Sequence, residues 1–136
     1  MANTLIKVKD ILRPDGIIGK VRDTATLDEA VRMMRQRKAN SLLVVDADDG
    51  LCGLFSEHDA MHALADDMHN ALNRPIADIM SVDLVVCTPE NTLTEAMRLM
   101  SDHSIRHLPV VNEAGHLQGY LEIMDLLRAV QEHGVK

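Results

Sequence analysis

Aromatic side chains are almost missing from this chain of 136 residues: Phe55 and Tyr120 are the only two, and tryptophan is absent. A core without them must be filled by aliphatic residues and by nine methionines, whose flexible thioethers fit irregular gaps. Cysteine is equally scarce. Cys52 and Cys87 stand far apart with no CxxC or Cys/His spacing, which excludes a disulfide frame and reads as reduced, intracellular thiols. No apolar run reaches the length that crosses a bilayer, and Met1–Lys7 lacks the apolar stretch and small-residue cleavage site of a signal peptide. The expectation is a cytoplasmic protein with no membrane contact. Positive charge is short as well: 14 Lys and Arg face 21 Asp and Glu, a net charge of −7 with seven histidines neutral. Such a surface repels polyanions and argues against nucleic acid as a partner, while a local positive pocket could still hold a small anion.

What is present is ordinary for a globular protein, with 46% apolar and 26% charged residues and a length that fits one compact unit. The informative feature is an internal repeat. Thr26-Leu27-Asp28-Glu29-Ala30-Val31-Arg32-Met33-Met34 lies over Thr92-Leu93-Thr94-Glu95-Ala96-Met97-Arg98-Leu99-Met100. Without a gap, Leu42-Leu43-Val44-Val45 then meets Leu108-Pro109-Val110-Val111, Leu51-Cys52-Gly53 meets Leu117-Gln118-Gly119, and Asp59 meets Asp125. Roughly a third of the aligned positions are identical over about 40 residues, too many for chance at a constant shift. Upstream, Asp10-Ile11-Leu12 matches Asp78-Ile79-Met80, with two extra residues in the first copy. A solenoid needs at least three copies, so a closed two-copy module is the better interpretation.

Each copy predicts the same elements. Ile17–Val21 and Leu84–Cys87 are short strand candidates enriched in β-branched residues. Thr26-x-x-Glu29 and Thr92-x-x-Glu95 are capping boxes, each opening a helix. Leu27, Ala30, Val31 and Met34 share one face of the first helix, and Leu93, Ala96, Met97 and Met100 one face of the second. Leu42–Val45 and Leu108–Val111 read as buried strands. Asp48-Asp49-Gly50 and Asn112–Gly115 supply turns that fold each back onto a strand ending at Ser56 or Glu122, where further helices begin. Asn70–Pro75 reads as a linker, with Pro75 suited to the first turn of a short helix. The order per copy is β-α-β-β-α.

This repeat, the Leu-Pro-Val-Val strand of copy two, and the Gly-x-x-Ser-x-x-Asp run from Gly53 to Asp59 resemble tandem cystathionine β-synthase (CBS) domains. The resemblance covers about Val8 to Val130 and divides the chain into a first repeat with an N-terminal extension, 1–70, and a second, 71–136. It implies an α/β (α+β) fold, two β-α-β-β-α repeats packed with pseudo-twofold symmetry and clefts between them. It also implies a regulatory module, of the stand-alone kind, that binds adenine nucleotides and pairs into a homodimer.

The resemblance assigns site residues. Ser56 and Asp59 match the family's Ser/Thr and Asp that hold ribose and phosphate. One ionised carboxylate can accept from both ribose hydroxyls, with charge-assisted bonds worth roughly 1.5–3 kcal/mol each. On spacing alone, Ser-x-x-Asp before a helix is equally an N-cap with a well-placed carboxylate, and the two roles can coexist. Arg106 and His107 match the family's phosphate-contacting basic residues; Arg offers a planar, permanently charged fork. Met80, Val82 and Val85 are candidates for the adenine. In the partner cleft Asp125 is retained, but Glu122 replaces the hydroxyl and Asn40 and Ser41 replace the basic pair. The implied asymmetry is one competent cleft and one impaired, unless Arg37 or Lys38 compensates.

Other chemistries find little support. His58-x-x-x-His62 and His103-x-x-x-His107 would each place two imidazoles one helical turn apart, but no further ligand has recognisable spacing, so no metal is expected. There is no HExxH, no G-x-S-x-G elbow and no GxxxxGK[ST] loop, hence no catalytic residue and no required cofactor. Met61, Leu64, Met68, Leu126, Leu127 and Val130 are candidates for core or dimer interface. The expected ligand is AMP, with ADP, ATP, NAD(H) and S-adenosyl compounds as alternatives, and the occupancy is expected to be reported to a protein partner. The competing interpretation is a ligand-free dimerisation scaffold.

Overall fold

The computed structural model describes residues 6–12 and 19–133. Where the length alone fits one compact unit, the chain forms two. One consists of the described residues from 19 to 84, the other of residues 6–12 together with 85–133. The first unit runs β1 (Gly19–Arg22), α1 (Leu27–Arg37), β2 (Ser41–Val45), β3 (Leu51–Ser56) and α2 (Glu57–Asp66), then single 3-10 turns at Ala71–Asn73 and Ile76–Asp78. The second has a 3-10 turn at Val8–Asp10, then α3 (Leu93–Asp102), β4 (His107–Val111), β5 (Leu117–Glu122) and α4 (Ile123–His133).

Local chemistry sets the helix starts. Thr26 Oγ1 accepts from Glu29 N–H at 3.2 Å while Glu29 Oε1 accepts from Thr26 N–H at 3.0 Å, and Thr92 and Glu95 do the same at 3.1 and 2.8 Å. Leu27, Ala30 and Met34 then fall on the buried face of α1, and Leu93, Ala96 and Met100 on that of α3, with Val31 and Met97 half-buried. Each large apolar side chain so buried is worth roughly 1.5–3 kcal/mol.

The sequence repeat is also a backbone repeat. Lys38, directly after α1, and Ser104, two residues after α3 and 66 positions on, both take the left-handed region, at φ 54° and 53°. The β2–β3 and β4–β5 turns likewise place Asp49 at φ 67° and Gly115 at φ 82°. The pairing slips at equivalent points, between Val44 and Val45 and between Val110 and Val111.

The two sheets differ. In the first, β1 pairs in parallel with β2, and β2 antiparallel with β3. In the second, β4 and β5 pair antiparallel, but the strand predicted at Leu84–Cys87 is reduced to one bridge from Cys87 to Val110. Cys87 N–H donates to the Pro109 carbonyl at 3.0 Å and Val111 N–H to the Cys87 carbonyl at 2.9 Å. A parallel ladder continued two residues back would need an N–H from residue 109 for the Val85 carbonyl, and proline has none. The first copy has Leu43 there and keeps its strand, although Ile17 and Ile18 of the predicted span lie outside the described residues.

The stretch at Asn70–Pro75 is not a bare linker. Ala71 and Ile76 are fully buried with Leu27 and Phe55, Arg74 O accepts from Leu27 N–H at 2.9 Å, and Ala25 O from Ile76 N–H at 2.9 Å. In the second unit Ile6 O accepts from Leu93 N–H at 2.8 Å, Asn91 O from Val8 N–H at 2.8 Å, and Val8 is fully buried beside Leu93. These are the same contacts with the lead-ins exchanged. The segment before each repeat packs on the body of the other, so the packing division does not follow the repeat order in the chain.

Candidate functional site

At the N-terminus of α2 the carboxylate and hydroxyl singled out from sequence bond each other's backbone. Ser56 Oγ accepts from Asp59 N–H at 3.2 Å, and Asp59 Oδ2 accepts from Ser56 N–H at 2.9 Å. The capping role is thus realised; it engages one carboxylate oxygen of a half-buried Asp59. Ser41 faces Ser56 across β2–β3, and the Asn40 carbonyl accepts from Glu57 N–H at 3.0 Å. This end of the unit carries hydroxyl, amide and carboxylate groups in Asn40, Ser41, Ser56 and Asp59.

Met80 lies in the same unit. Leu54 and Ser81 exchange backbone hydrogen bonds, each 2.9 Å, and this brings the segment so close to β3 that a Cβ on Gly53 would fall 2.6 Å from Met80 Sδ and 2.8 Å from the Ser81 carbonyl oxygen. Val82 beside it is exposed, whereas Val85 is half-buried in the core of the other unit. The three adenine candidates therefore divide between the units.

The equivalent end of the second unit gathers charge. Asp125 Oδ2 accepts from Glu122 N–H at 2.9 Å, the Arg106 carbonyl accepts from Ile123 N–H at 3.3 Å, and His107 faces Glu122 across β4–β5. Arg106 is exposed and His107 half-buried. Asp125 is buried, and its Oδ1 lies 3.8 Å from Arg128 Nη1. Within this unit the structure sets His107 opposite Glu122 and Asp125 on the Glu122 backbone, while Arg106 meets the start of α4 through its carbonyl. It adds two residues that sequence reasoning passed over. Tyr120 donates its hydroxyl to Glu122 Oε1 at 3.1 Å and sets its ring 6.1 Å from the His107 imidazole; Arg128 reaches Asp125. Tyr120 could have been found as an aromatic two residues from Glu122, hence on the same face of the strand.

The cations offered as compensation are otherwise placed. Lys38 closes α1 and is exposed, and the stem of Arg37 lies against Gly19, where a Cβ would meet its Cδ at 2.7 Å. Of the histidine pairs, His58 and His62 do share α2, with His62 Nε2 3.9 Å from Asp66 Oδ2. His103 and His107 do not share a helix. His103 ends α3, its Nδ1 2.9 Å from the Leu99 carbonyl, and His107 is on β4. Among the described residues no group of three His, Cys, Asp or Glu is placed to hold a metal ion.

Burial sorts the remaining candidates. Leu126 is core, Leu64 and Val130 are half-buried, and Met61 (62% exposed), Met68 (68%) and Leu127 (49%) face outward. Beside Leu127 an apolar groove of about 160 Å³ runs between α3 and α4, lined by Met97, Met100, Ile105 and Ile123. Among the described residues no helix is long and apolar enough to cross a membrane.

Comparison with known proteins fits this architecture. The family described as "CBS domain" matches twice, at residues 8–66 and 76–132. The CBS domain-containing protein CBSX3, mitochondrial, of Arabidopsis thaliana is 34% identical over 113 residues, covering 79% of this chain. The chain spans 54% of that protein's length. The crystal structure of Arabidopsis CBSX2 in complex with AMP superposes with a TM-score of 0.80 at 25% identity, covering 93% of this chain and 97% of that one. The cytosolic domain of the Mg2+ channel MgtE in complex with ATP gives a TM-score of 0.77 at 27% identity, over 90% of this chain and 48% of that one. With two matched repeats occupying most of its length, each built as capped helix, hairpin and second capped helix, the chain belongs to the CBS domain family.

Proposed function

We propose that this chain is a non-enzymatic regulatory module that binds an adenine nucleotide, AMP in the first place, and reports occupancy through a homodimer to a protein partner. The observation that carries this reading is that a CBS pair of the same fold at 25% identity is complexed with AMP, and another at 27% with ATP. The residues present suit such a guest. Asp59 accepts from ribose hydroxyls with the oxygen that its cap does not engage, Ser56 sits among the N–H groups that open α2, and Arg106 and His107 take the phosphate. Met80, Val82 and Val85 remain the proposed adenine contacts, and Asp125, already capping α4, serves the impaired site. Signalling is linkage: the nucleotide favours whichever arrangement it binds more tightly, by no more than its difference in affinity.

A second reading, a ligand-free dimerisation scaffold, is favoured by the exposed apolar residues Met61, Met68, Met124 and Leu127. Thermal melting with AMP, ADP, ATP, NAD+ and S-adenosylmethionine separates the two. At 100 times its dissociation constant a ligand adds about 2.7 kcal/mol, a rise in Tm on the order of 10 °C for a domain of this size. Asp59→Ala would also remove the carboxylate half of the capping box of α2, so Asp59→Asn is the sharper variant, since its amide oxygen still accepts from Ser56 N–H. The expected result is a large AMP shift in the wild type, most of it lost in Asp59→Asn and Arg106→Ala. A dimer indifferent to the whole panel establishes the scaffold instead.

A further inference from the structure

Directly opposed residues of an antiparallel pair project to the same face, so His107 and Glu122 stand side by side at the end of β4–β5. Tyr120 faces the same way and fixes the carboxylate: its hydroxyl donates to Glu122 Oε1 at 3.1 Å, and the ring that carries it is almost fully buried. Both Glu122 and His107 are half-buried, where solvent screens charge less than it does on an open surface. The other unit provides an internal comparison. There the same two positions are Ser41 and Ser56, neither of them charged, and α2 is capped well. The first unit thus builds the same strand pair and helix start without a carboxylate at this position.

We propose that Glu122 is a specificity-determining residue that limits the negative charge accepted beside Arg106 and His107, so that a single phosphate is preferred to a polyphosphate. The inference rests on the reading that this basic pair takes the phosphate, and it replaces the expectation that Glu122 belongs to the partner cleft, since the strand register sets Glu122 opposite His107. A monophosphate brings up to about two negative charges and a triphosphate roughly twice as many. Against them stand the permanent charge of Arg106 and the donor capacity of the His107 ring, and a fixed carboxylate offsets positive charge there. Each added phosphate charge meets that carboxylate as well as Arg106, and like charges held close disfavour one another.

Isothermal titration with AMP and ATP tests this on the full chain, using wild type and Glu122→Gln at low and moderate salt. Glutamine keeps the length and the carbonyl acceptor for the Tyr120 hydroxyl while removing the charge. The ratio of the ATP to the AMP dissociation constant should fall at least tenfold in Glu122→Gln, with AMP itself changing less than threefold. In the wild type that ratio should narrow as salt rises. Glu122→Ser, which installs the residue of the other repeat, should move the ratio in the same direction, and it supplies the answer if the glutamine variant does not fold. An unchanged ratio in the folded variants overturns the inference and leaves the reading of the site intact. A wild type that binds neither nucleotide overturns the reading, and the inference with it.

Discussion

Asp59 and Asp125 show how one side chain type serves two ends. Each accepts from the backbone N–H three residues earlier, so each carboxylate is required by its helix before any ligand is considered. What differs is the neighbour: a hydroxyl at Ser56, a second carboxylate at Glu122. That difference was visible in the sequence, but its company was not. Tyr120 and His107 meet Glu122 only because the register places residue 107 opposite residue 122, and register is a property of the pair of strands rather than of either one. A second residue-scale consequence concerns Cys87, which is buried; burial raises its thiol from an ordinary 9.0 to about 12. In the unfolded chain this thiol ionises above pH 9.0 while the folded one stays neutral to about 12. Its contribution is therefore fully present below pH 9 and is lost as pH rises between those values, by up to about 1.4 kcal/mol per pH unit. Urea unfolding at pH 8, 9.5 and 10.5 should show a steeper alkaline loss in wild type than in Cys87→Ala. Iodoacetamide at pH 8 should label the half-buried Cys52 well before Cys87.

At the scale of elements, the capping boxes and the apolar faces of α1 and α3 were legible because both are local, set by residues within a turn or two of one another. The strand at Leu84–Cys87 was misread because its fate lies with its partner, where Pro109 withholds an N–H that no property of Val85 or Val86 can replace. Glycine gives the same contrast between local and distant causes. Gly115 closes the β4–β5 turn at φ 82° with nothing near enough to touch an added Cβ, so Gly115→Ala should cost only the left-handed backbone penalty, about 1 kcal/mol. Gly53 lies in β3, where an added Cβ would press within 2.8 Å of the Ser81 carbonyl oxygen and 2.6 Å of Met80 Sδ. Gly53→Ala should cost more, roughly 2–3 kcal/mol, because backbone rather than a mobile side chain must yield. Chemical denaturation of the two variants orders them, and equal losses would refute the distinction.

For the whole molecule, the repeat suggested two segments joined at residue 70, and the packing answers differently. Val8 and Ile76 occupy the same position in the repeat, both fully buried, yet each sits in the core of the other copy's helices and strands. Lys7 and Lys9 add an ion pair each to Glu90, at 2.8 and 3.2 Å, but Lys9 and Glu90 are exposed and the pairs contribute little beside the burial of Val8. Periodicity could not reveal this exchange, since a repeat compares a segment with its copy and is silent on which body each lead-in covers. The consequence is testable by cutting the chain. A fragment of residues 1–70 ends before Ile76 and Arg74, losing a fully buried side chain and the carbonyl that accepts from Leu27 N–H at 2.9 Å. A fragment of residues 17–84 keeps both and leaves out the lead-in, whose described residues 6–12 pack in the other unit. Deleting an Ile-sized group from a core costs about 2–5 kcal/mol, comparable to the entire stability that a core of some 70 residues supplies. Circular dichroism melts should therefore show a cooperative transition for 17–84 and none for 1–70, although the two are nearly equal in length. Cooperative melting of 1–70 would mean that its core closes without Ile76, and the exchanged lead-ins would then be ornament to two self-sufficient repeats.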